Sequence, residues 1–279
     1  MIVEYTNKIS GSGINRTKAY LSNRYITSID ATGLTGTGLT LIPANPNALF
    51  VAKADVLANA NNVVVDGTCA NLVLTDGHPF KAPADFTATS ASYTTTINAT
   101  AQAGTLCLPF AATIPEGVTA YTLAYTSGDA ATATAVEGTI PANTPVLLNG
   151  SGAASFMGSN VAVAADATNA ADAMTGVFEA TGVPTGSYVL QMDESNKVGF
   201  YKVDASDPIT AQPFRAYLTA APGAGAALRI VYQGDVTGIE AVETAADSKE
   251  DAFYTLSGVR VSHPVKGLYI KNGKKVMVK

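Results

Sequence analysis

Short apolar runs closed by turn residues recur along the first ninety residues. Residues 39–42 (LTLI) end at Pro43, and residues 49–52 (LFVA) follow Asn45-Pro46-Asn47. Residues 63–65 (VVV) end at Asp66-Gly67, and residues 72–74 (LVL) end at Asp76-Gly77. Runs of this kind, spaced by about ten residues, are the rhythm of an all-β fold. Their unbroken apolar character predicts burial on both faces. Either a stacked solenoid cap or a first sheet packed between layers satisfies that. The segment 53–62 is the one stretch here with a short helical pattern.

From residue 91 to 233 the pattern turns to alternation. Tyr121, Leu123 and Tyr125 share one face of a pleated strand, as do Tyr188, Leu190 and Met192. A turn at 193–196 then leads to Val198 and Phe200, with Tyr201 and Val203 on the other face, so 187–203 predicts a hairpin. Residues 214–218 and 228–232 predict further strands, and Pro-bounded turns lie at 114–117 and 140–145. Half-apolar strands must pack face to face, which predicts an antiparallel β-sandwich over 91–233. The Ala-rich stretch 161–174 fits either a helical turn or a long surface loop. Residues 234–252 are polar and acidic and predict a linker. Residues 253–279 hold two short apolar pairs around Ser257-Gly258 and Asn272-Gly273. Asn-Gly is a strong hairpin signal, so the chain is expected to end in a small β-hairpin module.

Composition agrees with an all-β chain. Charged residues are 14% of the 279, well below the usual quarter, and Thr, Val, Gly and Asn fill the gap. The net charge of −5 argues against a phosphate-neutralising surface, so no nucleic-acid partner is expected. No run of eighteen apolar residues predicts a membrane span. The N-terminus shows no signal-peptide pattern, which leaves a cytoplasmic chain or a mature or excised piece. Two cysteines, Cys69 and Cys107, are too few for a disulfide scaffold. Both lie in apolar runs, which fits two buried free thiols, with one long-range bridge as the alternative.

The last segment carries a motif. Tyr254, Leu256 and Gly258, then Lys266, Gly267 and Tyr269, then Asn272, Gly273, Lys274, Lys275, Val278 and Lys279 follow a Y-x-L-x-G … K-G-x-Y-I-x-N-G-K-K-x-x-V-K pattern. Residues 237–279 thereby resemble the C-terminal sorting domain of proteins exported by the type IX (Por) secretion system of Bacteroidetes. Two inner stretches, 71–83 and 104–121, resemble a module of gut Bacteroidales surface proteins that commonly follows leucine-rich-repeat arrays. The resemblance implies a secreted or outer-surface location, recognition of the tail by the secretion machinery, and a chain that is part of something longer.

Candidate chemistry is sparse. His78 and His263 stand in separate turn regions, each followed by Pro, and no zinc-ligand spacing occurs. No Gly-x-Ser-x-Gly elbow accompanies His78. The acids Asp76, Asp85, Glu116, Glu137, Glu179, Asp193 and Glu194 are mostly turn residues, where carboxylates serve the backbone. Oxygen-rich loops at 193–196 and 204–207 are candidates for calcium, with solvated turns as the simpler reading. The glycine clusters 33–38 and 223–225 lack the strand-to-helix setting and the lysine of a phosphate cradle. Tyr121, Tyr125, Tyr188, Tyr201, Tyr217 and Tyr232 alternate with apolar residues and are expected in the core. No catalytic residue, metal site or cofactor is expected. The expectation is a non-catalytic structural or adhesion module that meets a glycan or a host surface protein. The alternative is an accessory glycan-binding region of a longer secreted enzyme.

Overall fold

A computed structural model describes residues 8–11, 18–127, 130–193, 196–220, 225–233, 253–254, 260–261, 266–271 and 274–278. Twenty-seven strands and no helix lie among these residues, so the all-β class holds. The chain divides into two units, Met1–Gln233 and Gly234–Lys279.

The first unit opens as a coil. Strands β1 (Lys8–Gly11), β2 (Lys18–Leu21), β3 (Ser28–Leu34), β4 (Thr40–Pro43) and β5 (Leu49–Val51) alternate between two ladders. β1, β3, β5 and β6 (Val63–Val65) pair in parallel each with the next, while β2 and β4 pair in parallel on their own. Lys18 stands opposite Thr40 and Lys8 opposite Asp30, a repeat of about 22 residues that marks a β-solenoid. A coil returns the chain to its starting side, so neighbouring strands run the same way. The segment 53–62 is not helical; Asp55 and Asn62 adopt positive φ there, and Leu57 makes a single parallel bridge to Leu39.

The coil turns at a tight hairpin. Asp66 and Gly67 both have positive φ, as a two-residue hairpin turn requires, and they join β6 to β7 (Thr68–Thr75). β7 pairs in parallel with β8 (Phe86–Ile97), so the expected boundary at 90/91 falls inside a strand. The chain continues through β9 (Ala103–Leu106), β10 (Ala112–Thr113), β11 (Thr119–Ser127), β12 (Ala130–Val136), β13 (Thr139–Ile140), β14 (Val146–Asn149) and β15 (Gly152–Val163). The stretch 161–174, read as a helical turn or loop, instead completes β15 and forms β16 (Ala170–Ala171). Then come β17 (Met174–Gly176), β18 (Thr181–Gly182), β19 (Tyr188–Met192), β20 (Val198–Lys202), β21 (Thr210–Ala211), β22 (Ala216–Leu218) and β23 (Ala227–Tyr232). β19 and β20 form the hairpin expected over 187–203.

One wide sheet runs β1-β3-β5-β6-β7-β8-β15-β10-β13 and so carries the solenoid ladder directly into its antiparallel half. The other runs β16-β17-β22-β19-β20-β23-β12-β11-β14-β9. It curls until its two ends meet: Ala216 N–H donates to Thr105 Oγ1 at 3.0 Å, and Ala173 N–H donates to the Leu123 carbonyl at 3.0 Å. Alternate residues of β14 serve different cores. Leu147 joins Leu123, Tyr188, Phe200 and Leu228 inside the curl, while Val146 and Leu148 join Leu72, Tyr93 and Phe156 of the first sheet. β5 divides the same way, Leu49 facing that shared core and Phe50 the core of the coil.

The second unit holds β24 (Phe253–Tyr254), β25 (Arg260–Val261), β26 (Gly267–Lys271) and β27 (Lys274–Val278) in one antiparallel sheet ordered β25-β24-β26-β27. Lys271 pairs with Lys274, so the strands meet on either side of Asn272-Gly273. Of the sorting-like positions, Tyr254, Gly267, Tyr269, Lys274, Lys275 and Val278 lie on these strands and Lys266 immediately before β26. Leu256, Gly258, Asn272, Gly273, Lys279 and the linker 234–252 lie outside the described residues.

Candidate functional site

Some of the acids hold backbone. Asp85 Oδ1 accepts from Ala165 N–H at 2.8 Å, and Asp204 Oδ1 accepts from both the N–H and the hydroxyl of Ser206. Glu116, Glu137 and Glu179 are exposed. The His78 carbonyl accepts from the Asn47 amide at 2.8 Å; His263 and Glu194 lie outside the described residues. Among the described residues no three His, Cys, Asp or Glu side chains gather as a metal would need. Cys69 and Cys107 are free and fully buried.

Asp76 is the exception among the acids. It follows β7 and receives three donors: Arg215 Nη2 at 2.6 Å, Thr95 Oγ1 at 2.5 Å and Tyr93 OH at 2.7 Å. Arg215 Nη1 also donates to Tyr93 OH at 3.0 Å, closing the ring of contacts. Burial pushes the Asp76 carboxyl up, but the three hydrogen bonds and the Arg215 charge outweigh it and hold the group below its ordinary value. Every member is satisfied by another, so the arrangement ties the turn after β7 to β8 and to the entry of β22 rather than poising a reactive group. Sequence reasoning weighed Asp76 but not Arg215.

A cleft lies where β20 and β23 part. Their pairing covers only Phe200 opposite Leu228 and Tyr201 opposite Ala227. Beyond it β20 stays with β19 down to Val198, and β23 stays with β12 out to Tyr232. A cleft of about 870 Å³ opens in the fork, within the range of ligand pockets. Leu147, Leu190, Phe200 and Ile230 from inside the curled sheet floor it. Asn149, Tyr232, Asp193, Lys197 and Arg229 stand around it.

No family model, curated protein or solved structure matches this chain.

The polar rim is largely pre-set. Asn149 Nδ2 donates to Tyr232 OH at 3.0 Å, and the Tyr232 ring meets Tyr121 edge-on at 4.9 Å between centroids. Asp193 Oδ1 accepts from Lys197 N–H at 2.9 Å and Oδ2 from Tyr201 OH at 3.1 Å. Burial first, and then this bonded carboxylate, push the Tyr201 phenol up. Five of the six tyrosines expected in the core pack there: Tyr188 and Tyr217 are buried, and Tyr121, Tyr125 and Tyr232 pack against the curl's interior, whereas Tyr201 is half-buried and holds its hydroxyl on Asp193 at the rim. Among the described residues the large exposed rings are Tyr20 and Tyr25 on the solenoid, with Arg24 lying over Tyr25. The fork itself leaves no trace in the side-chain pattern, because it depends on where a ladder stops. Among the described residues no helix is long and apolar enough to cross a membrane.

Proposed function

We propose that this chain is a non-catalytic, secreted or cell-surface structural and adhesion module, with the two wide sheets as the layers of a β-sandwich and the tail as a type IX sorting-like signal. The observation that carries the reading is the separateness of the tail. Residues 234–279 form their own compact unit, and the described motif positions Tyr254, Gly267, Tyr269, Lys274, Lys275 and Val278 fall along one four-stranded antiparallel sheet. A small sheet that forms a unit of its own is a form that a secretion machine can grip without unfolding the rest. The main body supports the non-catalytic part, since the part-buried pair of Asp76 and Arg215 is spent on joining strands. Partners in this reading are the secretion machinery at the tail and a glycan or host surface protein at the body.

The test is surface display. The full chain, and a version ending at residue 252, are expressed behind a periplasmic leader in a Bacteroidetes host with type IX secretion. Protease shaving of intact cells is expected to remove the full chain and spare the truncated one. Equal shaving of both, or of neither, overturns the reading.

A further inference from the structure

The fork between β20 and β23 exposes backbone as well as side chains. In a sheet, parallel or antiparallel, the main-chain groups of a strand face its two neighbours at alternate residues. Lys202 N–H donates to the Ala226 carbonyl, which sets the phase of β20 against β23. Gln233 N–H donates to the Ala133 carbonyl, which sets the phase of β23 against β12. Together they turn the backbone of Arg229 and Val231 toward β12, and that of Ile230 and Tyr232 toward the fork. On the other arm the backbone of Val198 faces the fork, because Gly199 and Tyr201 face β19. No described strand pairs with either arm there.

We propose that the fork is an acceptor for an extended segment of a partner protein, one that alternates apolar and acidic residues. A strand laid against Ile230 and Tyr232 takes up main-chain hydrogen bonds, the mode in which an open sheet edge binds a peptide. One side of such a strand faces the interior of the curl, over Leu147, Leu190 and Ile230, and takes apolar residues at every second position. The other side faces Lys197 and Arg229, both exposed at the rim, and takes acids. Asp193, the rim's own carboxylate, is already engaged by Tyr201 and by the Lys197 N–H. The proposal does not depend on the surface location argued above and stands or falls separately from it.

The experiment uses the intact 279-residue chain and a display library of random dodecapeptides. Selection is expected to enrich sequences with apolar residues at alternate positions and Asp or Glu between them. The best synthetic peptide is expected to slow amide hydrogen exchange at Ile230, Tyr232 and Val198. N-methylation of its alternate amides in the fork-facing register should weaken binding by about tenfold or more, and in the other register by less than about threefold. Arg229→Glu, a change at an exposed side chain, should weaken it by about fivefold. Failure to enrich any peptide overturns the proposal. So does binding indifferent to N-methylation, or protection of the same amides by a second copy of the chain or by an oligosaccharide with no peptide present.

Discussion

The guanidinium of Arg215 meets the carboxylate of Asp76 at 2.6 Å, across 139 residues of chain. The contact clamps the entry of β22, in the curled sheet, to the turn that closes β7 in the other. Both side chains keep less than a third of their surface exposed.

Replacing Asp76 by Asn leaves Arg215 part-buried without its counter-charge and turns one of the two oxygens that accept from Tyr93, Thr95 and Arg215 into an NH2 group that cannot accept. The expected loss is about 2 kcal/mol at neutral pH. The pH dependence has a definite sign. Asp76 titrates below its ordinary value of 3.8, so its contribution is full above that value and fades as pH falls through the folded value. Urea unfolding at pH 7 and pH 3 checks this: the gap between the parent and Asp76→Asn should be wider at pH 7 than at pH 3.

Asn47 acts as a bolt inside the solenoid. It is fully buried, donates to the Thr75 and His78 carbonyls at 2.9 and 2.8 Å, and accepts from Thr75 N–H at 2.6 Å. Asn47→Ala strands three backbone groups and should cost about 3 kcal/mol. Asn47→Asp should cost at least as much, since a carboxylate cannot donate to the two carbonyls. Denaturant midpoints of the two variants settle both expectations.

Particular residues show how far the sequence could be read. Asp66-Gly67 announced its hairpin, because a turn with two positive φ angles leaves a residue signature. Tyr121, Leu123 and Tyr125 announced one face, because period two is visible along a single strand. The direction of the partner strand is not visible in the same way. Ile29 and Phe50 have the side chains of either a parallel or an antiparallel ladder, and the length of the connection between them decides. Asn47 was legible only as a turn former, since its partners Thr75 and His78 are 28 and 31 residues away. Arg215 was hidden for the same reason, at longer range.

Neither cysteine should react in the folded protein. Cys69 and Cys107 have no exposed surface, and burial pushes both thiols up, that of Cys107 to about 12. Thiolate is the reactive form, so burial blocks both access and ionisation. A chromogenic thiol titration at pH 8 should find no reactive thiol in the native chain and both in guanidinium chloride. A native chain that titrates one thiol quickly would contradict this packing.

Gly176 marks the tightest approach between the ends of the curled sheet. A Cβ built there lies 2.4 Å from both Cβ and Sγ of Cys107, which follows β9, while Gly176 itself belongs to β17. Its backbone has no need of positive φ, so the cost of Gly176→Ala is one of space alone. Both neighbours are buried and cannot swing aside, and the expected loss is about 2 kcal/mol or more. Gly182→Ala is the control: nothing lies within 4 Å of its added Cβ, and less than about 0.5 kcal/mol should change. Cys107→Gly removes both clashing atoms and opens a small cavity of its own. The double variant, with Ala at 176 and Gly at 107, refills that cavity with the new methyl group. It should therefore be more stable than the two single losses added together, with a coupling of about 1–3 kcal/mol. Thermal or denaturant unfolding of the four chains measures that coupling, and strict additivity would place β17 farther from Cys107 than described here.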